Sequence, residues 1–196
     1  MKHLLLSFFL VSCGGTYHHI TLPPQGGVWE SYPITISIDQ QYTETEQAQI
    51  TSAINTWNSA IGITLLAVIE PQSPRPITDT MFSTLGDNQN HLYKGITMPT
   101  SKASVLGVAM WSSTPDNKFI ESDIIINFQA HSMGNVFTGA SFDLESVMLH
   151  ELGHLLGLGH LDDSSTVMYA YMSQGQTKRT LTNEDINYLK QVMDKD

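Results

Sequence analysis

Five residues carry the chemistry of this chain: His150, Glu151, His154, Gly157 and His160, spaced as H-E-x-x-H-x-x-G-x-x-H. On an α-helix, residues four apart lie on one face, so His150 and His154 can hold one metal ion between them. Glu151 sits one step round from His150, where it can face a water on the metal without binding the metal itself. Gly157 takes a left-handed backbone at no steric cost and so ends the helix. The chain can then turn back and bring His160 in as a third ligand. Three nitrogens and an open fourth position are the plan of a catalytic zinc site, whereas a structural site is closed by four protein ligands. With 8 His, 8 Glu and 14 Gly in 196 residues, a shuffled chain would carry these five letters about 4 times in 100,000. That is too rare to read them as three unrelated histidines.

The elements that must position this stretch can be read around it. Phe142-Asp143-Leu144-Glu145 opens the motif helix with acids at its positive end, and the helix should run to about Leu156. Asp143 and Glu145 read as helix-end charges, with a backbone amide elsewhere as the other partner open to either. After His160 come a polar turn, Asp162 to Ser165, and then Val167-Met168-Tyr169. A last helix starts at Thr182, with Asp185 at the capping-box position and Ile186, Leu189 and Met193 as its apolar stripe.

Upstream, Ile34 to Asp39 alternates apolar and polar residues, as a half-buried strand does. Thr43 and Glu46 form a capping box for a helix whose apolar face is Ile50, Ile54, Trp57 and Ile61. Gly62 ends it, and Trp57 reads as a core anchor. Ile63 to Ile69 is expected as a second, more buried strand. Weaker strands are expected near 92–98 and 105–111, a strong one over Phe119 to Phe128, and a loop over 129–141. This order predicts an α+β domain, its sheet packed on two main helices.

The formal charge of −10 argues against nucleic acid and against an anionic membrane surface as partners. A single Cys rules out an intramolecular disulfide. The chain starts Met1-Lys2-His3, followed by an apolar run from Leu4 to Val11. That run is too short for a bilayer, which needs about 20 residues, but it fits the core of a secretory signal. Its end, Leu10-Val11-Ser12-Cys13-Gly14, resembles a bacterial lipoprotein signal. On that resemblance residues 1–12 are removed and Cys13 is lipidated. The domain would then be extracytoplasmic, held at the periplasmic face or cell surface. With an ordinary signal and an incidental Cys13 it would be secreted. Residues 13–28 read as a flexible tether, with His18-His19 a solvated pair, and residues 29–196 as the domain.

The motif and the Met168 of Val-Met-Tyr after it resemble the metzincin metalloproteases. Phe142-Asp143-Leu144-Glu145, Leu181 to Ile186 and the strand–helix pair ending in Trp57 resemble their matrixin branch, the matrix-metalloproteinase type. The resemblance covers about residues 29–196. It implies a zincin-like fold with a twisted mixed sheet, an active-site helix, a second long helix and a C-terminal helix. It also implies one catalytic zinc on His150, His154 and His160, with Glu151 as general base and Met168 in a tight turn beneath the metal. Tyr169 and Tyr171 would wall the pocket for the substrate residue after the cut, and the strand near 119–128 would be the sheet edge that receives a peptide. The implied substrate is a protein or peptide, and the family's habit is monomeric.

Some residues depart from the matrixin pattern. Leu161 stands where a Ser is usual, and no Cys follows Cys13 to act as a cysteine switch. His91 and His131 are too few for a second, structural zinc and read as surface residues. Calcium is not called for, since Asp162 and Asp163 read as a solvated turn. A different class of function is a zinc-binding surface or adhesion module that cleaves nothing, but the intact Glu151 favours an enzyme. A protease whose third ligand is a Glu on a later helix is disfavoured by Gly157 and His160.

Overall fold

A computed structural model describes residues 27–70, 77, 86–99, 102, 104–134 and 140–194. The signal segment, Cys13 and nearly all of the tether lie outside them. Among the described residues, five strands form one sheet: β1 (Ile34–Ile38), β2 (Leu66–Ile69), β3 (His91–Gly95), β4 (Gly107–Ser113) and β5 (Phe119–Asn127). Their order is β2-β1-β3-β5-β4. Every pairing is parallel except β4 with β5, so the sheet is mixed as expected. A two-residue parallel pair, β6 (Met133–Gly134) with β7 (Phe142–Asp143), interrupts the stretch expected as plain loop. Among the described residues three helices accompany the sheet: α1 (Glu44–Ala60), α2 (Leu144–Leu155) and α3 (Asn183–Met193). No helix among the described residues is long and apolar enough to cross a membrane.

The helices begin where their caps are. Thr43 and Glu46 close the capping box of α1, and Thr182 and Asp185 that of α3. Ile50, Ile54 and Trp57 turn the apolar face of α1 into the core. The main core lies between the helices and one sheet face, where Ile36, Leu92, Ile124 and Ala109 meet Leu149 and Leu152 of α2. Because side chains alternate along a strand, their neighbours Tyr93, Ile125 and Val108 form a smaller cluster on the other face.

Helix α2 lies against β4, β5 and α1, and two tryptophans tie it down. The Trp57 indole N–H donates to the carbonyl of Leu149 (2.8 Å), and that of Trp29 to the carbonyl of Leu155 at the helix end (2.7 Å). Trp57 is thus more than filler: it satisfies its own buried donor on the helix that carries the motif.

Four readings need correction. β2 is an edge strand with β1 as its one neighbour, so Val68 and Ile69 are exposed rather than buried. β5 is interior, flanked by β3 and β4, and cannot receive a peptide. The sheet edge beside α2 is β4. His91 is buried rather than a surface residue, with Asp87 3.5 Å from its Nε2, because it opens β3 next to β5. In α3 the inward stripe is Asp185, Leu189 and Val192, turned from the Ile186–Leu189–Met193 reading because Asp185 is drawn into the core by the contacts described below.

Candidate metal centre

Helix α2 is buried along its whole length. Its N-terminus is fixed by Asp143, which caps Ser146 through both the amide (3.0 Å) and the hydroxyl (2.6 Å). Arg179 binds both oxygens of Asp143 and also reaches Glu145 at 3.2 Å. Burial alone would raise the Asp143 carboxyl, but Arg179 and Ser146 hold it below the usual carboxylate range.

The C-terminus closes as a Schellman motif. The Leu158 amide donates to the Gly153 carbonyl and the Gly157 amide to that of His154, both at 2.9 Å. Gly157 has φ +97, as its place in the motif predicts. A Cβ there would also lie 3.0 Å from the Gly27 carbonyl oxygen and 3.2 Å from Val192. Gly157→Ala should therefore cost about 1–3 kcal/mol from the left-handed backbone and the crowding together. A denaturant midpoint within error of wild type would show that the turn tolerates a side chain.

This turn brings His160 back over the helix. One nitrogen from each of His150, His154 and His160 lies within 4.8 Å of the others. The ring centroids are 4.6 to 5.2 Å apart. Backbone carbonyls set the tautomers of two rings: His150 Nδ1–H donates to Val167 (2.7 Å) and His154 Nδ1–H to Leu158 (2.8 Å). A carbonyl can only accept, so the protons sit on Nδ1. The two Nε2 lone pairs are then left facing each other at 3.0 Å. Facing lone pairs repel unless a cation lies between them. Nitrogens on a tetrahedral zinc are about 3.3 Å apart, close to the spacing here. The Nε2 of His160 and both carboxylate oxygens of Glu151 are buried without a hydrogen-bond partner among the described residues. An orphaned imidazole nitrogen where three histidines meet fits a missing cation. The residues present therefore suit a zinc ion, with Glu151 lining the cavity next to His150.

Burial sets the proton affinities. It lowers His150 to about 4, His160 to about 3 and His154 well below the ordinary 6.5, and it pushes Glu151 up to about 8. Charged forms lose their hydration in a dry site. These shifts make the metal-free chain sensitive to pH from both sides. Between about 4 and 6.5 the unfolded chain takes up protons on these histidines that the folded chain refuses, so stability is lost as pH falls through that window. Glu151 acts oppositely, because the folded state keeps a proton that the unfolded chain releases above about 4.5. Its contribution is lost as pH rises through 8. The melting temperature in chelator should peak at about pH 6–7. Glu151→Gln should remove the alkaline decline and leave the acid one, and an unchanged alkaline limb would mean that Glu151 is not its source.

Met168 is fully buried beneath the helix. A Cβ at Gly153 would collide with its sulfur, so Gly153 is what lets the Met168 turn press against α2. The Leu161 amide donates to the Met168 carbonyl (2.9 Å) and Leu161 bridges to Tyr169, which joins the His160 arm to this turn. Tyr169 and Tyr171 line a small cavity together with His150 and Glu151. Asp162 and Asp163 are exposed, and Asp163 accepts from the Ser165 amide (2.8 Å).

Several positioning residues had no functional reading in the sequence. Asp185 accepts from the amides of Val167 and Met168, both at 3.1 Å, as well as from Thr182. Its capping position was visible in the sequence, but its clamp on the turn was not. The Tyr188 hydroxyl accepts from the Gly159 amide (3.0 Å), just before His160. Arg179 and Lys178 carry no motif signal at all.

Parts of the chain are similar to known metalloendoproteinases. Metalloendoproteinase 2-MMP of Arabidopsis thaliana is 51% identical over 47 residues, which are 24% of this chain and 12% of that protein. Metalloendoproteinase 1 of Glycine max is 43% identical over 53 residues, 27% of this chain and 17% of that one. Karilysin of Tannerella forsythia is 47% identical over 47 residues, 24% of this chain and 10% of that one. The match thus spans between a tenth and a fifth of the length of these relatives. The family model described as Matrixin matches residues 28–193, nearly all of the described domain, and the chain belongs to the matrixin family.

Proposed function

We propose that this chain is a zinc-dependent endopeptidase that hydrolyses peptide bonds of extracytoplasmic proteins, with Glu151 as general base. The observation that carries the proposal is the convergence of three imidazoles on one point, with the buried Glu151 carboxylate, which lacks a hydrogen-bond partner among the described residues, lining the same cavity as His150. A zinc ion held there would supply Lewis-acid polarisation of the scissile carbonyl and make a water acidic enough to attack near neutral pH. His150, His154 and His160 hold the ion, and the carbonyls of Val167 and Leu158 keep the first two in the ligating tautomer. Glu151 takes the proton from the attacking water and delivers it to the leaving amine. A cation nearby favours its ionised form, against the effect of burial. The substrate chain lies along β4, the sheet edge, and its backbone hydrogen bonds hold the scissile bond in place. The start of β4 reaches the site: a Cβ on Gly107 would lie 2.5 Å from Glu151 Oε1. The pocket beside Tyr169 and Tyr171 takes the side chain after the cut.

The test is cleavage of a mixed quenched-peptide library by the full chain, with and without a chelator. Zinc-dependent cleavage supports the protease. One zinc bound per chain with no cleavage of any peptide would favour the non-catalytic binding module. For the ligand set, His160→Ala should lose most of its zinc affinity, and unchanged affinity would remove His160 from the set.

For placement, we propose that Cys13 is lipidated and that the stretch between it and the domain tethers the domain to a bacterial membrane; the tether ends before Gly27 and Val28, which pack on the domain. The short apolar run ending in Ser12-Cys13-Gly14 supports this. Cys13→Ser should move the protein from the membrane fraction to the soluble one, and a variant that stays with the membrane argues against lipidation.

A further inference from the structure

One charged side chain other than Glu151 lines the cavity beside it, Lys178. The Lys178 amide donates to Ser146 Oγ on α2 (2.7 Å), itself a lining residue. Its ammonium donates to the Thr166 carbonyl (3.0 Å), two residues before Met168. The ammonium lies 4.8 Å from the centre of the Tyr169 ring, which also lines the cavity. Lys178 therefore joins α2, through its amide, to the segment before Met168, through its ammonium.

The other walls are mostly apolar: Leu106, Val147, Tyr169 and Tyr171. The enclosed volume is about 20 Å³, little more than the ~10–15 Å³ that one water needs. A substrate side chain can enter only by displacing part of the lining. Val147 and Val167 are packed in the core, whereas Lys178 is half-exposed and carries its charge on a flexible four-carbon stem. Moving the ammonium off the Thr166 carbonyl leaves a buried acceptor and a charged donor to be satisfied. An apolar or cationic side chain offers nothing in exchange. A side chain with an apolar stem and an acceptor at its end gives the ammonium a new charge-assisted bond.

We propose that Lys178 is the specificity-determining residue of this pocket, selecting glutamate first and glutamine second as the substrate residue just after the cut. The proposal rests on the protease reading above for its meaning, but not for its measurement. In cleavage by the zinc-loaded full chain, peptides identical except for Glu, Gln, Met or Lys at that position should rank in that order. Glu should lead Met by about tenfold or more in kcat/KM, the usual worth of a hydrogen bond to a charged group. Lys178→Met should bring that ratio to one or below, Lys178→Glu should favour the Lys peptide, and Lys178→Arg should keep the Glu preference.

Calorimetric binding of the same peptides to the zinc-loaded Glu151→Gln chain reads the pocket without chemistry and should give the same order. Wild type and Lys178→Met sharing one order of preference would overturn the proposal and leave the protease standing. So would a wild type that prefers Met or Lys. Binding in the expected order with no cleavage by wild type would overturn the protease reading instead. Neither binding nor cleavage would overturn both.

Discussion

Glu151→Gln should lose about 10²–10⁴-fold in kcat, the usual worth of a positioned general base, while still binding one zinc per chain. The side chain is fully buried and both its oxygens lack hydrogen-bond partners among the described residues. Glutamine keeps the shape and an acceptor oxygen but cannot take a proton at neutral pH. The loss should therefore fall on kcat, with KM little changed, because the uncharged amide removes an interaction made only as the proton moves. The metal-free variant should be at least as stable as wild type above pH 8, where wild type must bury a carboxylate that prefers its neutral form. Steady-state kinetics with zinc content measured on the same samples decides the matter. Normal turnover with zinc bound would assign the base to another residue. Loss of zinc together with activity would mean that Glu151 serves the metal site itself.

Asp185→Ala should be the most damaging substitution outside the motif. The carboxylate is fully buried. It accepts from the amides of Val167, Met168 and Thr182 and from the Thr182 hydroxyl. Removing it strands buried donors, each worth about 1–3 kcal/mol when unsatisfied, for a total of about 3–5 kcal/mol after relaxation. In a domain of this size the melting temperature should fall by about 10 °C.

The damage should also travel to the metal. Val167 offers its amide to Asp185 and its carbonyl to His150 Nδ1, so the peptide units around one residue join the clamp to a ligand. Loss of the partner that orients a ligating His costs about 10–100-fold in metal affinity. Competition with a chromophoric chelator, read beside a thermal melt, separates the two effects. A lower melting temperature with zinc affinity within threefold of wild type would make Asp185 a cap and nothing more.

The metal site was the most legible part of the chain because its geometry is almost entirely local. Ligand spacing four apart is a property of any α-helix, and Gly157 marks the turn through its own backbone preference, borne out at φ +97. The capping boxes at Thr43 and Thr182 involve residues three apart, and both form. Elements with a strong apolar pattern, such as α1 and β5, were recognisable for the same reason.

Contacts between residues distant in sequence were not legible. Whether a strand is interior or an edge depends on which strands lie beside it. Hence the pattern of β5 alone suggests the edge that β4 supplies, and that of β2 suggests a buried strand, although among the described residues β2 pairs only with β1. His91 looked like a surface residue because nothing in its own segment says that β5 will cover it. Arg179 reaches back 36 residues to Asp143, and no periodicity announces such a pair.

The sequence by itself determined which three histidines come together, the glutamate next to the first of them, the helix that carries them and the likeness to the matrixin family. Those follow from residue type and from spacings shorter than one loop. Only the tertiary structure decided what holds the site in shape. That support is Asp185 under the Met168 turn, Trp57 and Trp29 on the carbonyls of α2, and Lys178 on the Thr166 carbonyl. Each is a polar group buried by packing and obliged to find a partner, and packing alone brings that partner within reach.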